Sequence, residues 1–462
     1  MRIAPRIKKM ADFKKCFMDV GVFLRADYNC TKMDSKKTLL IIGGAALTFV
    51  FLLIIFIALV AKGSGQATIT YWGLWEPEAI YQTAIADFKK THPNVTIKYQ
   101  KQSPLNYRDR MNTALANGSV DIVRIHNTWA PTMRGSLATV PASVYTVQNF
   151  KTTFYPVAFS DLVYANRIYA IPMEFEGLSL YTNDEIFRSG GQTVPTIWDG
   201  DQGFMSVARK LTVKDSNGRI QTSGAAMGTA SNVDHWQDIL ALMMLQTGTD
   251  LNKSPDTIPA SEALSYYAAF TQGDRTWDET LDNSTLAFAN GKVAMYFGPS
   301  WRFFDIKQIA PNLAFSISPV PQLVGGTTVN YASYWAEAVS KKSRNQALAF
   351  EFLKFLSSKD EMARLYAAEA KLRGFGEPYS RVDMANLLTS DPAVGPYIKA
   401  APTAKSWYLA SFTRDGETGI NSRIGKYFAD AVNIAKSGGD PKGALGTASS
   451  GVDQVLGSYG LK

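Results

Sequence analysis

The sequence predicts a mixed α/β fold carried outside a single membrane-spanning helix, and three observations lead there. From residue 68 onward, short runs that alternate apolar and polar residues take turns with stretches of helical period. Ahead of them stands one long uncharged segment. The 462 residues are 46% hydrophobic, enough to bury sizeable cores in a chain whose length allows roughly two to four domains.

The uncharged segment comes first in the chain. Residues 39–61 form 23 consecutive uncharged positions, and as a helix they reach roughly 34 Å, a bilayer's thickness. Residues 1–38 carry ten Lys and Arg against four Asp, with Lys36 and Lys37 immediately before the apolar run. The positive-inside rule therefore predicts a cytoplasmic basic arm (1–38), a transmembrane helix (39–61), a linker (62–67) and an extracellular body (68–462). A cleaved signal peptide is the competing expectation, but its apolar core is about 7–15 residues and its leading arm is shorter. Met33 is a second credible start, and the anchor survives either choice. The other 424 residues hold 38 basic and 36 acidic side chains. Such balance argues against a nucleic-acid-binding face, so no nucleic acid is expected as partner.

Cys16 and Cys30 both fall in the arm, leaving the outer body without disulfides. His92, His126 and His235 form no metal-ligand spacing, and neither metal nor cofactor is expected.

In the body, Thr68–Trp72 alternates as a strand. Ile80, Ala84, Ile85 and Phe88 follow at helical spacing up to His92-Pro93, and Val95–Tyr99 alternates again. A second helix from about Tyr107 to Asn117 ends at Gly118, and Asp121–Ile125 reads as a third strand. Strands alternating with helices predict a mainly parallel sheet. Arg167–Tyr181 is a long extended run broken by Pro172 and Gly177, suited to crossing between domains. Helical faces follow at Trp236, Ile239, Leu240 and Met243, at Ala349, Phe352, Leu353 and Leu356, and at Ile424, Phe428, Ala431 and Ala435. The Gly/Ser/Ala-rich stretch 437–451 reads as two short loops around a helix.

Motifs for an enzyme are sparse. No G-x-S-x-G elbow, phosphate loop or dinucleotide fingerprint occurs. Glu174 and Glu176, two apart on an extended run, have the spacing of a glycosidase pair, which leaves an anchored glycan-acting enzyme as one alternative. The tryptophans say more. Trp72 and Trp75 follow the first strand, Trp129 the third; Trp301 and Trp335 close later segments. Ligands in open α/β sheets bind beyond the strands' carboxyl ends, where Trp faces stack on sugar C–H surfaces. With Glu76, Asn127, Glu174, Glu176, Arg302 and Glu337 nearby in sequence, the set predicts a ligand cleft whose carboxylates and amides pair with hydroxyls.

Six segments carry a resemblance: 69–77 (ITYWGLWEP), 121–129 (DIVRIHNTW), 169–183 (YAIPMEFEGLSLYTN), 195–199 (PTIWD), 286–301 (LAFANGKVAMYFGPSW) and 334–341 (YWAEAVSK). In this order, from about Thr68 to the C-terminus, the sequence resembles the carbohydrate-type extracellular solute-binding proteins of bacterial ABC importers, the maltose-binding-protein-like family. The resemblance implies a two-lobed periplasmic-binding-protein type II fold. One lobe would comprise about 68–172 and 319–357, the other about 173–318 and 358–462, with crossovers at 169–181 and about 314–321. It further implies a sugar in the cleft, an ABC permease as partner and no catalysis. Trp301 matches the family's stacking aromatic; Trp72, Trp75, Glu76, Asn127, Trp129, Glu174, Glu176, Asn232, His235 and Trp335 match cleft positions. Asn232 and His235 also suit the start of the next helix. The chain departs from the family's usual lipid anchor. The acidic residues keep a peptide, polyamine or other small solute open as an alternative ligand.

Overall fold

The computed structural model describes Thr48, residues 66–273 and residues 275–462. The arm 1–38, the apolar segment 39–61 and most of the linker therefore lie outside the described residues, Thr48 excepted. Among the described residues no helix is long and apolar enough to cross a membrane.

The first unit forms as its periodicity dictates. Strand β1 (Ala67–Gly73) is followed by helix α1 (Glu78–Thr91), whose Ile80, Tyr81, Ala84 and Phe88 face inward, and by β2 (Val95–Lys101), parallel to β1. Helix α2 (Tyr107–Asn117) stops where Gly118 takes a left-handed φ of 74°, and β3 (Ile122–His126) then pairs parallel to β1. After β4 (Ile171–Pro172) the chain leaves this sheet for β5 (Ser179–Asn183), the centre of a second one. There β6 (Val213–Lys214), β7 (Ile220–Ala225), β8 (Val293–Gly298) and β9 (Phe315–Ser318) join it. Strand β10 (Trp335–Val339) returns to the first sheet. The spatial orders are β2-β1-β3-β10-β4 and β9-β5-β8-β7-β6.

Neither sheet is wholly parallel, and the second is mostly antiparallel: only β7 and β8 run side by side in one direction. The reason is the route of the chain. Strands β5 and β10 enter their sheets directly from the crossing between the two, so each runs against the strands whose carboxyl ends point to that crossing. The stretch 314–321 also differs from expectation. Its strand pairs only with β5, and the return to the first sheet is made by residues 330–334.

Two large apolar cores correspond to the two sheets, and a small third cluster around Phe375, Met384 and Ile398 sits apart from both. The second core includes α3 (Trp236–Gln246), α4 (Ile420–Lys436) and α5 (Pro441–Ser458). Helix α5 supplies the helix expected within 437–451 and continues past it to Ser458, so that only its leading loop is seen. Asp440 caps its backbone, and Ala444, Leu445, Val452, Val455 and Leu456 supply an apolar stripe that small-residue composition concealed. Gly451 lets the helix approach α4: a Cβ there would come within 2.4 Å of the Tyr427 ring.

Crossing segments touch backbone to backbone. Gly177 bridges Ala332, Glu174 bridges Tyr379, and the N–H of Ser333 donates to the Glu176 carbonyl at 2.9 Å. A Cβ on Gly177 would stand 2.1 Å from the Tyr331 carbonyl oxygen, with only backbone to yield. Gly177→Ala is therefore expected to destabilise the protein by about 1–3 kcal/mol, read as a lower melting temperature. An unchanged melting temperature would contradict this packing.

Candidate ligand-binding site

The carboxyl ends of β1, β3 and β8 and the crossing segments enclose a cleft of about 900 Å³, counted to its open mouth. Trp75, two residues beyond β1, lines it at one side; Tyr99 and Lys101 hold the turn by donating to the carbonyls of Glu76 (2.8 Å) and Trp75 (2.6 Å). Trp335 opens β10 and meets Trp75 edge-on, with centroids 5.5 Å apart. Behind it Trp129 packs edge-on at 5.3 Å, so an aromatic column runs from core to cleft. On the opposite side Trp301 follows β8, with the Arg302 guanidinium 4.4 Å over its ring and Phe412 at 5.6 Å.

Beneath this lining lies a buried ionic network. Arg124 extends from β3, almost wholly buried, and donates from Nη1 to both carboxylate oxygens of Glu76 (2.6 and 2.8 Å) and from Nε to Glu337 (2.7 Å). Glu174 is 4.0 Å from the same guanidinium and accepts the Trp335 N–H at 3.2 Å. Glu176 accepts from the backbone N–H of Ser300 at 3.0 Å and from its hydroxyl. Glu377 pairs with Arg373 at 2.5 Å, which also reaches Glu369.

Burial decides the titration of these groups. It would raise Glu76 too, but Arg124's charge and hydrogen bonds hold that carboxyl below its ordinary range. Glu174 is raised by burial and by Glu377; Glu176 is pushed up to about 8 by the same two causes, against the Ser300 bonds; Glu369 also reaches about 8. His126 is pushed down to about 3 by burial. His235 is likewise lowered, chiefly by burial. Its Nε2 accepts from Arg302 Nε at 3.0 Å, so the neutral ring carries its proton on Nδ1 and donates to Asp238.

Among the described residues, Glu76, Glu174 and Glu377 bring carboxylate oxygens within 4.8 Å of one another, the one grouping with the donors for a cation. Two of the three already hold guanidiniums, and these supply the positive charge there.

Of the predicted residues, Trp75, Glu174, Glu176, His235, Trp301 and Trp335 line the cleft. Glu76 and Glu337 are buried behind it on Arg124. Arg302 lies under Trp301 and pairs with Asp305. Trp129 is core. Asn127 is turned inward, donating to Asp161 (2.8 Å) and accepting from the Tyr334 N–H. Trp72 donates to Gln100 at the sheet edge, and Asn232 ties a loop through the carbonyls of Asp278 and Leu281. Sequence reasoning did not single out Asp238, Ser333, Arg373, Glu377, Phe412 or Arg414, which also line the cleft. Arg124 had a signal in hindsight: a lone cation inside an otherwise apolar strand.

Two sheets, each with its own apolar core, flank the cleft. Residues 83–394 match the bacterial extracellular solute-binding protein family, and the chain belongs to it. The multiple sugar-binding protein of Streptococcus mutans is 22% identical over 65% of this chain and 73% of its own. The sugar-binding protein of Xanthomonas citri superposes with a TM-score of 0.69 at 17% identity, covering 85% of this chain and 98% of that one. A cyclo/maltodextrin-binding protein solved with maltotetraose gives 0.67 at 16%, covering 84% and 97%. At these identities the likeness is one of fold.

Two outcomes are expected. Arg124→Met strands Glu76 and Glu337 as buried unpaired charges and should cost about 3–5 kcal/mol in chemical denaturation. Glu176 and Glu369 keep protons in the folded chain that the unfolded chain releases above an ordinary 4.5, so their contribution is full at low pH and is lost as pH rises toward 8. The slope is on the order of 1 kcal/mol per pH unit per carboxyl. Melting temperature should fall over that window, and less so in Glu176→Gln; equal pH profiles would refute the assignment.

Proposed function

We propose that this chain is a membrane-anchored extracellular receptor that captures a sugar or oligosaccharide between its lobes and delivers it to an ABC permease. One observation carries the ligand class: Trp75, Trp335 and Trp301 approach the cleft from both sides, and the polar groups around them include carboxylates, His235, Ser333, Arg373 and Arg414. Flat apolar faces with interspersed acceptors and donors match the alternating C–H and hydroxyl surfaces of a sugar. The family supports capture and delivery, and the names of the Streptococcus and Xanthomonas relatives support a carbohydrate.

Anchoring rests on the apolar run 39–61 behind its basic arm. Closure of the lobes over the ligand is the state a permease would recognise, and the crossing segments at 173–178 and 330–334 are where the chain would bend.

A second ligand class, a cation such as a polyamine, is favoured by the cleft's Glu174, Glu176, Glu377 and Asp238. Calorimetric titration of the full chain, held in a detergent without a sugar headgroup, separates the two. A sugar is expected to bind without turnover and with little salt dependence; a polyamine site would weaken steeply with ionic strength. Trp301→Ala should cost the sugar complex about tenfold in affinity, ~1.4 kcal/mol. Heat from polyamines and none from any sugar would overturn the carbohydrate assignment.

A further inference from the structure

A second pocket, of about 670 Å³ counted to its open mouth, shares no lining residue with the cleft. One side of it comes from the first core's elements: the short helix Ala130–Met133, the end of the helix Pro156–Leu162 and the hairpin that follows. The other side comes from Tyr408 and Leu461, which pack on the second core. Junctions of this kind are favoured places for small-molecule sites.

The pocket's cation has no acceptor of its own. Arg134 lies over the Tyr164 ring, its Cζ 3.5 Å from the centroid, and among the described residues the guanidinium makes no hydrogen bond or ion pair. Burial does not account for the pair, since Tyr164 is 57% exposed. A tight hairpin holds that ring in place. Tyr164 pairs with Arg167 around a two-residue turn, Ala165 and Asn166, both left-handed at φ of 48° and 58°, which an alanine adopts only against a steric penalty. The acidic residue in the lining does not neutralise Arg134. Asp161 accepts instead from the Ser406 hydroxyl (2.6 Å), the Asn127 amide (2.8 Å) and the Tyr334 hydroxyl (3.0 Å). Tyr408 lies within the field of both charges: burial and Asp161 push its hydroxyl up to about 12, and Arg134 opposes them. The hydroxyls of Tyr408 and Tyr169 likewise have no hydrogen-bond partner among the described residues. The lining thus holds donors without acceptors.

We infer that this pocket is a second ligand site, distinct from the cleft, which takes a small organic carboxylate on the Arg134 guanidinium and the tyrosine hydroxyls. Stacking on Tyr164 occupies a face of the guanidinium and leaves its N–H edge free, and that edge matches the two oxygens of a planar carboxylate. Leu162, Val163 and Leu461 offer the rest of such a ligand an apolar wall. One cation compensates one negative charge, so a phosphate dianion would keep a second charge bare beside Asp161. The inference is independent of the carbohydrate assignment, because the two spaces have no residue in common.

The test is calorimetric titration of the full chain at neutral pH in an uncharged polyoxyethylene detergent. Benzoate is the probe, benzamide its uncharged isostere and inorganic phosphate the competing anion. Benzoate should bind at least about tenfold more tightly than either, and more weakly as ionic strength rises. Arg134→Met should remove that binding. Arg134→Lys, which keeps the charge without the fork, should retain no more than about a tenth of the affinity. Tyr408→Phe should weaken benzoate severalfold, and Trp301→Ala, in the cleft, should leave it unchanged. Melting temperatures identify any variant that misfolds; if Arg134→Met does, Tyr408→Phe decides, and undiminished affinity there overturns the site. No heat from benzoate, equal binding of benzamide, preference for phosphate, or benzoate affinity intact in a folded Arg134→Met would each overturn it. Loss of benzoate binding in Trp301→Ala would move the probe into the cleft and overturn it as well, whatever the sugars do.

Discussion

The Arg124 guanidinium is the group on which the cleft's construction depends. An arginine in the middle of a buried strand is costly unless every donor is met, and each partner that meets this one comes from a different element. Glu76 fixes the turn after β1, Glu337 fixes β10, and Glu174 fixes the departing crossover. Trp75 and Trp335 sit one and two positions from those carboxylates. The aromatic surface offered to a ligand is thus set by an electrostatic demand beneath it. The same demand explains why Glu76 is held below its ordinary range while Glu174, farther from the guanidinium, is raised by burial and by Glu377.

Chain direction shapes the rest. Because β5 and β10 start at the crossing and run outward, their first residues and the segments before them become cleft lining: Gly177 and Leu178 on one path, Ser333 and Trp335 on the other. A parallel βαβ sheet alone would present only loops after strands. Here the cleft is lined by strand beginnings as well as strand ends, and it borrows the rigidity of both sheets.

Much of this was legible from periodicity. Strands β1 to β3 and helices α1 and α2 follow alternation and 3.6-residue spacing with boundaries displaced by a few residues, since burial of one face is a local property of sequence. Strand direction in the second sheet was not, because it depends on where the chain comes from. The extent of helix α5 was partly masked by its Gly and Ser, whose lower individual propensities are overridden by a packed stripe. At the site, the tryptophans that end strands were readable, and Trp75, Trp301 and Trp335 do meet. Trp129, Asn127 and Glu76 look identical to them in sequence, yet the next atoms in space turn them to the core. Phe412 and Glu377, on loops, and Arg373, at the end of a helix, are distant in sequence and carry no local pattern, so only folding brings them in.

The orientation of β1 has a mechanical side. Its carboxyl end feeds Trp75 into the cleft, so its first residue, Ala67, stands at the opposite end of the sheet, about 20 Å from Gly73. Whatever precedes Ala67 joins the body there. A pull applied along that connection is borne in shear by the β1–β2 ladder, paired in register from Ala67↔Val95 to Gly73↔Lys101, which must yield many hydrogen bonds together. The load thus falls on the edge of the first sheet, whose outer strand is β2.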